Sequence, residues 1–281
     1  MKLLITGASG FLGGRAARYF ADRWEVLAPA HPALDITDGQ AVRSFLERER
    51  PDRVLHCAAI SDTGTCERFP DRSRAINVAG AVNVAKAAGR IGAQCVLCSS
   101  DQVYFGSPVG DHHREDEVLT PQNAYGRDKL AMEAGCLAEN PAAVLLRLSW
   151  MYDGETLRAG EHGDFLRTLL PKLRAGERCS FPVFDRRGIT DVHEVVRNLE
   201  GGFRLPGGVY NFGAPNDCST FALMERVFAR LHLDSALLER NEGAFASAPR
   251  NLCMDMERTA GTEIRFSSTE EGLVRAIRAA Y

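Results

Sequence analysis

The chain has 281 residues, of which 45% are hydrophobic and 25% charged, and its formal net charge is −3. This composition is typical of a soluble globular protein with one large domain, or a large and a small one, and it excludes collagen-like, disordered and coiled-coil classes. The balance of charge gives no basic surface for nucleic acid, and no apolar run approaches the roughly 20 residues that a membrane helix needs. The apolar run at the N-terminus breaks at Thr6-Gly7, too early for a secretory signal. We therefore expect a cytoplasmic protein without nucleic-acid or membrane partners.

An apolar strand at the start of the chain leads into a helix through a turn with three regularly spaced glycines, Gly7, Gly10 and Gly13. In dinucleotide-binding turns the first glycine permits a tight bend, the second lets the backbone approach a pyrophosphate, and the third lets the helix pack closely on the strand. The N–H groups at the start of the helix then point at the phosphates. The spacing G-x-x-G-x-x-G differs from the commoner G-x-G-x-x-G. Its position between a strand and a helix nevertheless favours a cofactor site over a purely structural turn.

Short β-like runs alternate with helical patterns up to about residue 150. Because parallel strands need crossover helices, this order predicts a Rossmann-type, doubly wound α/β fold. We assign 1–150 to a cofactor-binding domain, with 183–203 returning to it. We assign 151–182 and 204–281, where glycines and prolines separate shorter elements, to a smaller C-terminal substrate lobe. The predicted strands are 2–6, 24–28, 52–58, 94–99 and 143–149, and the predicted helices are 11–22, 39–49, 71–90 and 123–139.

Tyr125 and Lys129 lie four residues apart at the start of a predicted helix, so they share one helical face. A lysine ammonium close to a phenol favours the phenolate, so we expect Lys129 to lower the pKa of Tyr125 and to make it usable for proton transfer. The alternative is a tyrosine packed at the helix start under a lysine stem. Ser100 ends the predicted fourth strand, at the sheet edge where the cofactor is expected, and it could hydrogen-bond a substrate carbonyl. Alternation along the strand places Ser99 on the opposite face.

The eight cysteines are scattered through apolar segments, so we expect most of them to be reduced, buried and inert. Cys95 and Cys98 form a C-x-x-C. However, residues three apart on a strand point to opposite faces and lie beyond the roughly 7 Å limit for a disulfide. The pair His112-His113 lies in a polar sequence without partners at ligand spacing, which predicts a solvated loop. We expect no metal site.

These motifs resemble those of the extended short-chain dehydrogenases/reductases, and most closely the dTDP-4-dehydrorhamnose reductase-type proteins among them. The resemblance spans most of the chain. The segments that carry it are the nucleotide turn at 6–13, the adenine-side segment at 34–38, the nicotinamide-side loop at 56–59, the helix with a structural asparagine at 76–80, the serine segment at 99–104, the Tyr/Lys segment at 125–129, the L-R-x-S-W segment at 146–152 and the stretch at 187–196, which is similar to R-D-F-x-H-V-D-D-V-V.

The resemblance implies an NAD(P)H-dependent reductase that acts on the ketone of a nucleotide sugar such as dTDP-4-dehydrorhamnose. In such an enzyme Tyr125 gives the proton, Lys129 holds the nicotinamide ribose and tunes the tyrosine, and Ser100 orients the carbonyl. The residues expected at the cofactor are Gly7, Ser9, Gly10, Phe11, Leu12, Gly13, Arg15, His31, Asp35, Ile36, Cys57, Ala58, Ala59, Asn77, Ser99, Tyr125 and Lys129. Those expected at the substrate are Ser61, Ser100, Asp101, Trp150, Arg187 and Arg250, with Arg187 as a phosphate anchor.

The predicted second strand leads into Ala28-Pro29-Ala30-His31 without the Asp or Glu that grips a ribose 2′-OH in NAD-specific sites. We therefore expect NADP(H), or use of both NADP(H) and NAD(H), with Arg15 and His31 near the 2′-phosphate.

Two other interpretations remain open. A sugar-nucleotide epimerase or dehydratase would keep NAD bound and recycle it, and a non-catalytic NAD(P)-binding regulatory subunit would bind the cofactor without turnover.

The helices predicted at 71–90 and 123–139 carry stripes of small residues, and in the resembling family these helices pair across a two-fold axis, which predicts a homodimer. Packing of both helices on their own sheet is the alternative.

Overall fold

The computed structural model of the protein describes residues 1–107, 112–153 and 163–280. Its strands are β1 (Lys2–Thr6), β2 (Glu25–Leu27), β3 (Arg53–His56), β4 (Gln94–Ser100), β5 (Val144–Leu148), β6 (Trp150–Tyr152), β7 (Cys179–Pro182), β8 (Asp185–Arg187), β9 (Ile189–Asp191), β10 (Gly208–Phe212), β11 (Leu238–Asn241) and β12 (Arg250–Leu252). Its α-helices are α1 (Phe11–Ala21), α2 (Gly39–Glu49), α3 (Thr63–Arg68), α4 (Pro70–Arg74), α5 (Ala81–Ile91), α6 (Ala124–Glu139), α7 (Phe165–Ala175), α8 (Val192–Gly202), α9 (Thr220–Leu231) and α10 (Thr269–Ala280).

The largest sheet in the described part of the chain has six parallel strands in the order β10-β5-β4-β3-β1-β2. The chain leaves β1 towards β2 on one side and returns to β3 on the other, so the winding reverses beside β1. In open parallel sheets the crevice at such a reversal, outside the carboxyl ends of the strands, is where ligands bind. The predicted Rossmann-type fold is confirmed.

Alternation along β1 explains how the two faces of the sheet are covered. Leu3 and Ile5 point to one face, where they belong to a core with apolar residues of α1 and α8. Leu4 points to the other face and packs in a core with apolar residues of α2, α5 and α6. Helices on both faces leave the carboxyl ends of the strands free for a site.

The strand β10 corrects one detail of the predicted organisation. We placed 204–281 in the substrate lobe, yet β10 pairs with β5 along the edge of the large sheet. Every residue of β5 is buried, so its outer edge needs a backbone partner, and no sequence pattern marks which later segment supplies it. A separate apolar cluster joins α7, α9 and α10, which agrees with a lobe, and the remainder of the domain division stays a prediction.

The helix predicted at 71–90 is interrupted. It consists of α4, a π-helical segment Ala75–Gly80 and α5. Such π-helical insertions are rare and frequently lie at functional sites. None of the described helices combines the length and the apolar character needed to cross a membrane.

Candidate active site

The turn after β1 is built so closely that two of its positions require glycine. Gly7 has a φ of +73°, and a Cβ there would lie 2.6 Å from the backbone nitrogen of Ala58. A Cβ on Gly13 would overlap the carbonyl oxygen of Gly7. The start of α1 therefore packs directly on the turn, and the backbone itself forms the surface that a phosphate can approach.

Two cavities meet at this turn. The adenosine-side cavity, of about 680 Å³, lies at the end of β2, and the catalytic cavity, of about 510 Å³, lies at the ends of β4 and β5. The residues that line both are Gly7, Ser9, Gly10, Cys57 and Ala59. An elongated space with a glycine turn at its middle fits a dinucleotide whose pyrophosphate lies at the start of α1.

Most of the expected cofactor residues line one of these cavities. His31, Asp35, Ile36 and Ala58 line the adenosine-side cavity. Phe11, Leu12, Gly13, Ser99, Tyr125 and Lys129 line the catalytic cavity. Arg15 and Asn77 line neither of them.

Arg15 is buried and serves another purpose. Its Nε donates to Asp153 Oδ2 at 2.5 Å, and its Nη1 donates to the carbonyl oxygen of Phe11 at 2.7 Å. The structure does not place it beside a 2′-phosphate, because its guanidinium is held by these partners below the surface. Arg18, one turn later in α1, is exposed and lines the adenosine-side cavity near His31, a position that the sequence analysis missed.

Asn77 positions the loop that lines both cavities. Its Oδ1 accepts from the backbone nitrogen of Ile60 at 2.8 Å, and its Nδ2 donates to the carbonyl oxygen of Ile60 at 3.0 Å. Nδ2 also donates to Ser73 Oγ, which in turn donates to Asp128 Oδ2 on α6. Asn77 therefore ties the loop after β3 to the helix of Tyr125, without contact with the cavities.

The three predicted catalytic residues meet in the catalytic cavity. Asn123 caps α6 by accepting from the backbone nitrogen of Gly126, so the helix begins at the sheet edge and places Tyr125 and Lys129 there. Lys129 Nζ lies 5.6 Å from the centre of the Tyr125 ring and donates to the carbonyl oxygen of Cys98 at 2.7 Å. Ser100, at the end of β4, lines the same cavity and donates to Asp101 Oδ1 at 3.2 Å.

The expected effect of Lys129 on Tyr125 is wrong. Burial raises the pKa of the Tyr125 phenol well above its ordinary value, Asp101 raises it further, and the hydrogen bond with Ser100 opposes both. Burial also lowers the pKa of the Lys129 ammonium. Loss of hydration is the largest influence on the pKa of the phenol in this closed pocket. The phenol therefore stays protonated near neutral pH, which suits a proton donor.

A buried ion pair behind the cavity fixes the relative position of α6, β4 and β5. Glu133, one turn after Lys129, accepts from Arg147 Nε at 2.9 Å and from Arg147 Nη2 at 2.7 Å. Glu133 also accepts from Ser99 Oγ at 2.5 Å. Because side chains alternate along β4, the Ser99 hydroxyl contacts this ion pair, whereas Ser100 points to the opposite face of the strand.

The expected substrate residues surround the outer part of the catalytic cavity. Ser61, Asp101, Trp150 and Arg187 line it. Arg187 Nη2 lies 3.1 Å from Asp101 Oδ2, and its guanidinium stacks 4.9 Å from the Trp150 ring. Its Nε is buried and makes no hydrogen bond to any residue that the structure describes. Burial raises the pKa of Asp101, and Arg187 opposes that shift.

A third cavity, of about 320 Å³, adjoins the catalytic cavity, since Trp150 and Arg187 line both. Arg250 also lines this cavity, where its Nε donates to Asp185 Oδ1 at 2.7 Å. Two arginines therefore lie along one continuous cleft.

Comparison with known proteins identifies the family. The sequence matches the family described as "RmlD substrate binding domain" over residues 1–281. The chain belongs to this family. The predicted resemblance to the dTDP-4-dehydrorhamnose reductase-type proteins is therefore confirmed.

Individual relatives of this RmlD-family protein match over parts of their length. One is the dTDP-4-dehydrorhamnose reductase of Mycolicibacterium smegmatis, 35% identical over 66% of this chain and 55% of that protein. Another is the methionine adenosyltransferase 2 subunit beta of Xenopus laevis, 34% identical over 54% of this chain and 47% of that protein. The matches thus span about half the length of these relatives. The crystal structure of the Bacillus anthracis dTDP-4-dehydrorhamnose reductase in complex with NADP superposes with a TM-score of 0.84, covers 99% of both chains at 24% identity, and shows a shared fold.

The solvated loop predicted around His113 is wrong for this RmlD-family protein. The His113 ring is buried, stacks on the Tyr104 ring at 4.4 Å and hydrogen-bonds Glu117 Oε2 at 2.7 Å and the carbonyl oxygen of Asn251 at 3.0 Å. The polar neighbours in sequence gave no sign of these distant partners. Within 1–107, 112–153 and 163–280, no group of three His, Cys, Asp or Glu side chains could hold a metal ion.

Proposed function

We propose that this protein is an NAD(P)H-dependent reductase that converts the ketone of a nucleotide sugar, such as dTDP-4-dehydrorhamnose, to an alcohol. The observation that carries the proposal is the meeting of Ser100, Tyr125 and Lys129 in the cavity that begins at the glycine turn. Bound NAD(P)H supplies the hydride in this chemistry, and the protein supplies binding, orientation and the proton.

The chain's own residues suit these tasks. Ser100 can donate a hydrogen bond to the substrate carbonyl from the end of β4, and the protonated Tyr125 phenol beside it can give its proton to the same oxygen. Lys129 donates to the carbonyl oxygen of Cys98 and, at 3.9 Å, to Met132 Sδ, which leaves one N–H donor for the nicotinamide ribose. Trp150 lines the cavity, where its ring can exclude water from a bound substrate.

The adenosine-side cavity favours NADP(H). The residues directly after β2, 28–31, line this cavity without a carboxylate, and the carboxylate of Asp35 lies further along the chain. Arg18 and His31 line the same cavity. An arginine beside a ribose can accommodate a 2′-phosphate. We therefore propose that the protein uses NADPH at least as well as NADH.

The outer cleft suits a phosphorylated substrate. The guanidinium groups of Arg187 and Arg250 line the third cavity, and Arg187 also lines the catalytic cavity. Their planar N–H groups match phosphate oxygens. A diphosphate would bind between them, with the sugar at Tyr125 and the nucleoside in the third cavity.

The proposal is tested by following NADPH and NADH oxidation with a panel of 4-keto sugar nucleotides and with phosphate-free ketones. Net consumption of the reduced cofactor with the sugar nucleotides is the expected result. Conversion without net consumption would favour the epimerase or dehydratase interpretation, and it would overturn the reductase assignment.

A non-catalytic regulatory subunit remains the second candidate, since a methionine adenosyltransferase subunit is among the relatives. The complete Ser100, Tyr125 and Lys129 set argues against it. Tight NADPH binding without turnover of any ketone in the panel would favour this candidate.

We also propose a homodimer and keep a cytoplasmic location as a prediction. The helices α5 and α6 pack against each other. Ala134 and Ala138 of α6 are exposed, and so is Ala79 in the π-helical segment before α5. Two such pairs can form a four-helix interface about a two-fold axis. A monomeric mass by light scattering at micromolar concentration would reject the dimer.

A further inference from the structure

Cys57 and Cys98 lie side by side on neighbouring strands. His56 of β3 is paired with Leu97 of β4, so the next residues along the chain face each other. Their sulfur atoms are 3.6 Å apart, and both cysteines are free. Neighbouring strands are about 4.8 Å apart, which lies within the roughly 4.4–6.8 Å between the Cα atoms of disulfide-bonded cysteines. The C-x-x-C motif in the sequence instead pairs Cys98 with Cys95, which lies on the opposite face of the same strand.

Both cysteines line the catalytic cavity. Cys57 and Cys98 line it together with Tyr125 and Lys129, and Cys57 also lines the adenosine-side cavity. Cys57 is half-buried, whereas the other seven cysteines are buried. A small oxidant that enters the cavity therefore reaches this pair before any other thiol.

We infer that Cys57 and Cys98 form a reversible disulfide that closes the cofactor site, with hydrogen peroxide as the oxidant. The Cys98 thiolate attacks a peroxide oxygen, the O–O bond breaks, and Cys98 becomes a sulfenic acid as hydroxide leaves and takes a proton to form water. The sulfur of Cys57 then attacks the sulfur of Cys98, the S–O bond breaks, and a second water leaves. Two thiols lose two electrons in total and one peroxide gains them.

The surroundings of the pair select the attacking sulfur. The hydrogen bond from Cys57 lowers the pKa of the Cys98 thiol, burial opposes this effect, and the Lys129 ammonium adds to it. The same hydrogen bond and burial raise the pKa of the Cys57 thiol. Thiolate character decides which cysteine reacts with an oxidant. The direction of these shifts favours Cys98 as the sulfur that reacts with peroxide and Cys57 as the resolving one.

Closure of the disulfide disturbs the cofactor turn. The sulfurs must approach from 3.6 Å to about 2.05 Å, which moves Cys57 and the adjoining Ala58. The backbone nitrogen of Ala58 lies only 2.6 Å from the position of a Cβ on Gly7, so the turn has no spare room. We expect the oxidised protein to bind NADPH at least tenfold more weakly. This effect rests on the proposed cofactor site.

The test compares reduced and peroxide-treated full-length protein by non-reducing peptide mapping and by fluorescence titration with NADPH. The expected result is a peptide that links Cys57 to Cys98, a tenfold or larger loss of NADPH affinity, and recovery of affinity with dithiothreitol. Saturation with NADPH before the peroxide should slow the cross-link. Both measurements are made without a ketone, so they succeed or fail independently of the reductase activity.

Serine variants of single cysteines test which two cysteines form the cross-link. C57S and C98S should lose the cross-link, whereas C95S should retain it, because Cys95 lies on the same strand but packs in the apolar core on the other face. Each variant is compared with itself before and after peroxide. A wild-type map in which Cys57 and Cys98 stay separate, as thiols or as sulfinic acids, overturns the inference. If the cross-link forms but the NADPH affinity does not change, the inference that the disulfide closes the cofactor site is overturned.

Discussion

Replacement of Glu133 by glutamine tests whether the buried ion pair behind the cavity holds the catalytic helix in place. Glu133 and Arg147 have side chains that are only 4% and 3% exposed, and two hydrogen bonds join them. E133Q keeps the shape of the side chain but leaves the Arg147 charge buried without its counter-ion.

The size of the effect follows from this burial. Removal of one partner of a buried ion pair costs roughly 3–5 kcal/mol, because the other charge stays desolvated. With about 2.1 cal/mol/K of unfolding entropy per residue, this 281-residue chain has roughly 0.6 kcal/mol/K in total. The Tm should therefore fall by about 5–8 °C.

The assay is reversible thermal unfolding of the wild type and E133Q followed by circular dichroism. E139Q is the matched control, because Glu139 lies on the same helix but pairs with Lys86 at the surface, where both side chains are about two-fifths exposed. Such surface pairs contribute up to roughly 1 kcal/mol, so the control should lose less than about 2 °C. A Tm for E133Q as close to wild type as that of E139Q would refute the reasoning.

Four further substitutions test the site. Tyr125→Phe should lower ketone reduction about 10²–10⁴-fold, since only the proton donor is lost, and NADPH titration should show nearly unchanged cofactor affinity; turnover near wild type would remove the assignment. Lys129→Met should weaken both turnover and NADPH affinity, because Lys129 is proposed to hold the nicotinamide ribose beside Tyr125, and an unchanged affinity would contradict that contact. Arg18→Ala should weaken NADPH binding by about tenfold, the value of one charged hydrogen bond, with NADH binding as the internal control. Arg187→Ala should raise the KM for a nucleotide sugar much more than the KM for a phosphate-free ketone, and equal changes would speak against a phosphate anchor.

The parts of the site that lie close together in sequence could be predicted. The turn around Gly7 and Gly13 is a local feature, because each glycine is required by backbone a few residues away or on the next strand. The spacing of Tyr125 and Lys129 fixes a shared helical face without any tertiary information. Strand alternation likewise predicted that Ser99 and Ser100 have different partners.

The parts that depend on distant partners could not be predicted. Arg15 looked available for a phosphate because Asp153, 138 residues away, is not visible as its partner in the sequence. The pairing of Cys57 with Cys98 depends on β3 and β4 being neighbours in one register. The high pKa of Tyr125 depends on burial, which a helical spacing does not reveal.

β10 is synthesised about 60 residues after its partner β5, and this order affects how the chain folds during synthesis. β5 is complete at residue 148, but its outer edge has no partner until Gly208–Phe212 has been made. The open edge of a strand that is buried at every position is prone to pair with other chains, and contacts so distant in sequence form slowly. A fragment that stops near residue 150 should therefore aggregate rather than act as an independent cofactor-binding module. The nascent protein exposes the same unpaired edge on the ribosome until β10 has been made.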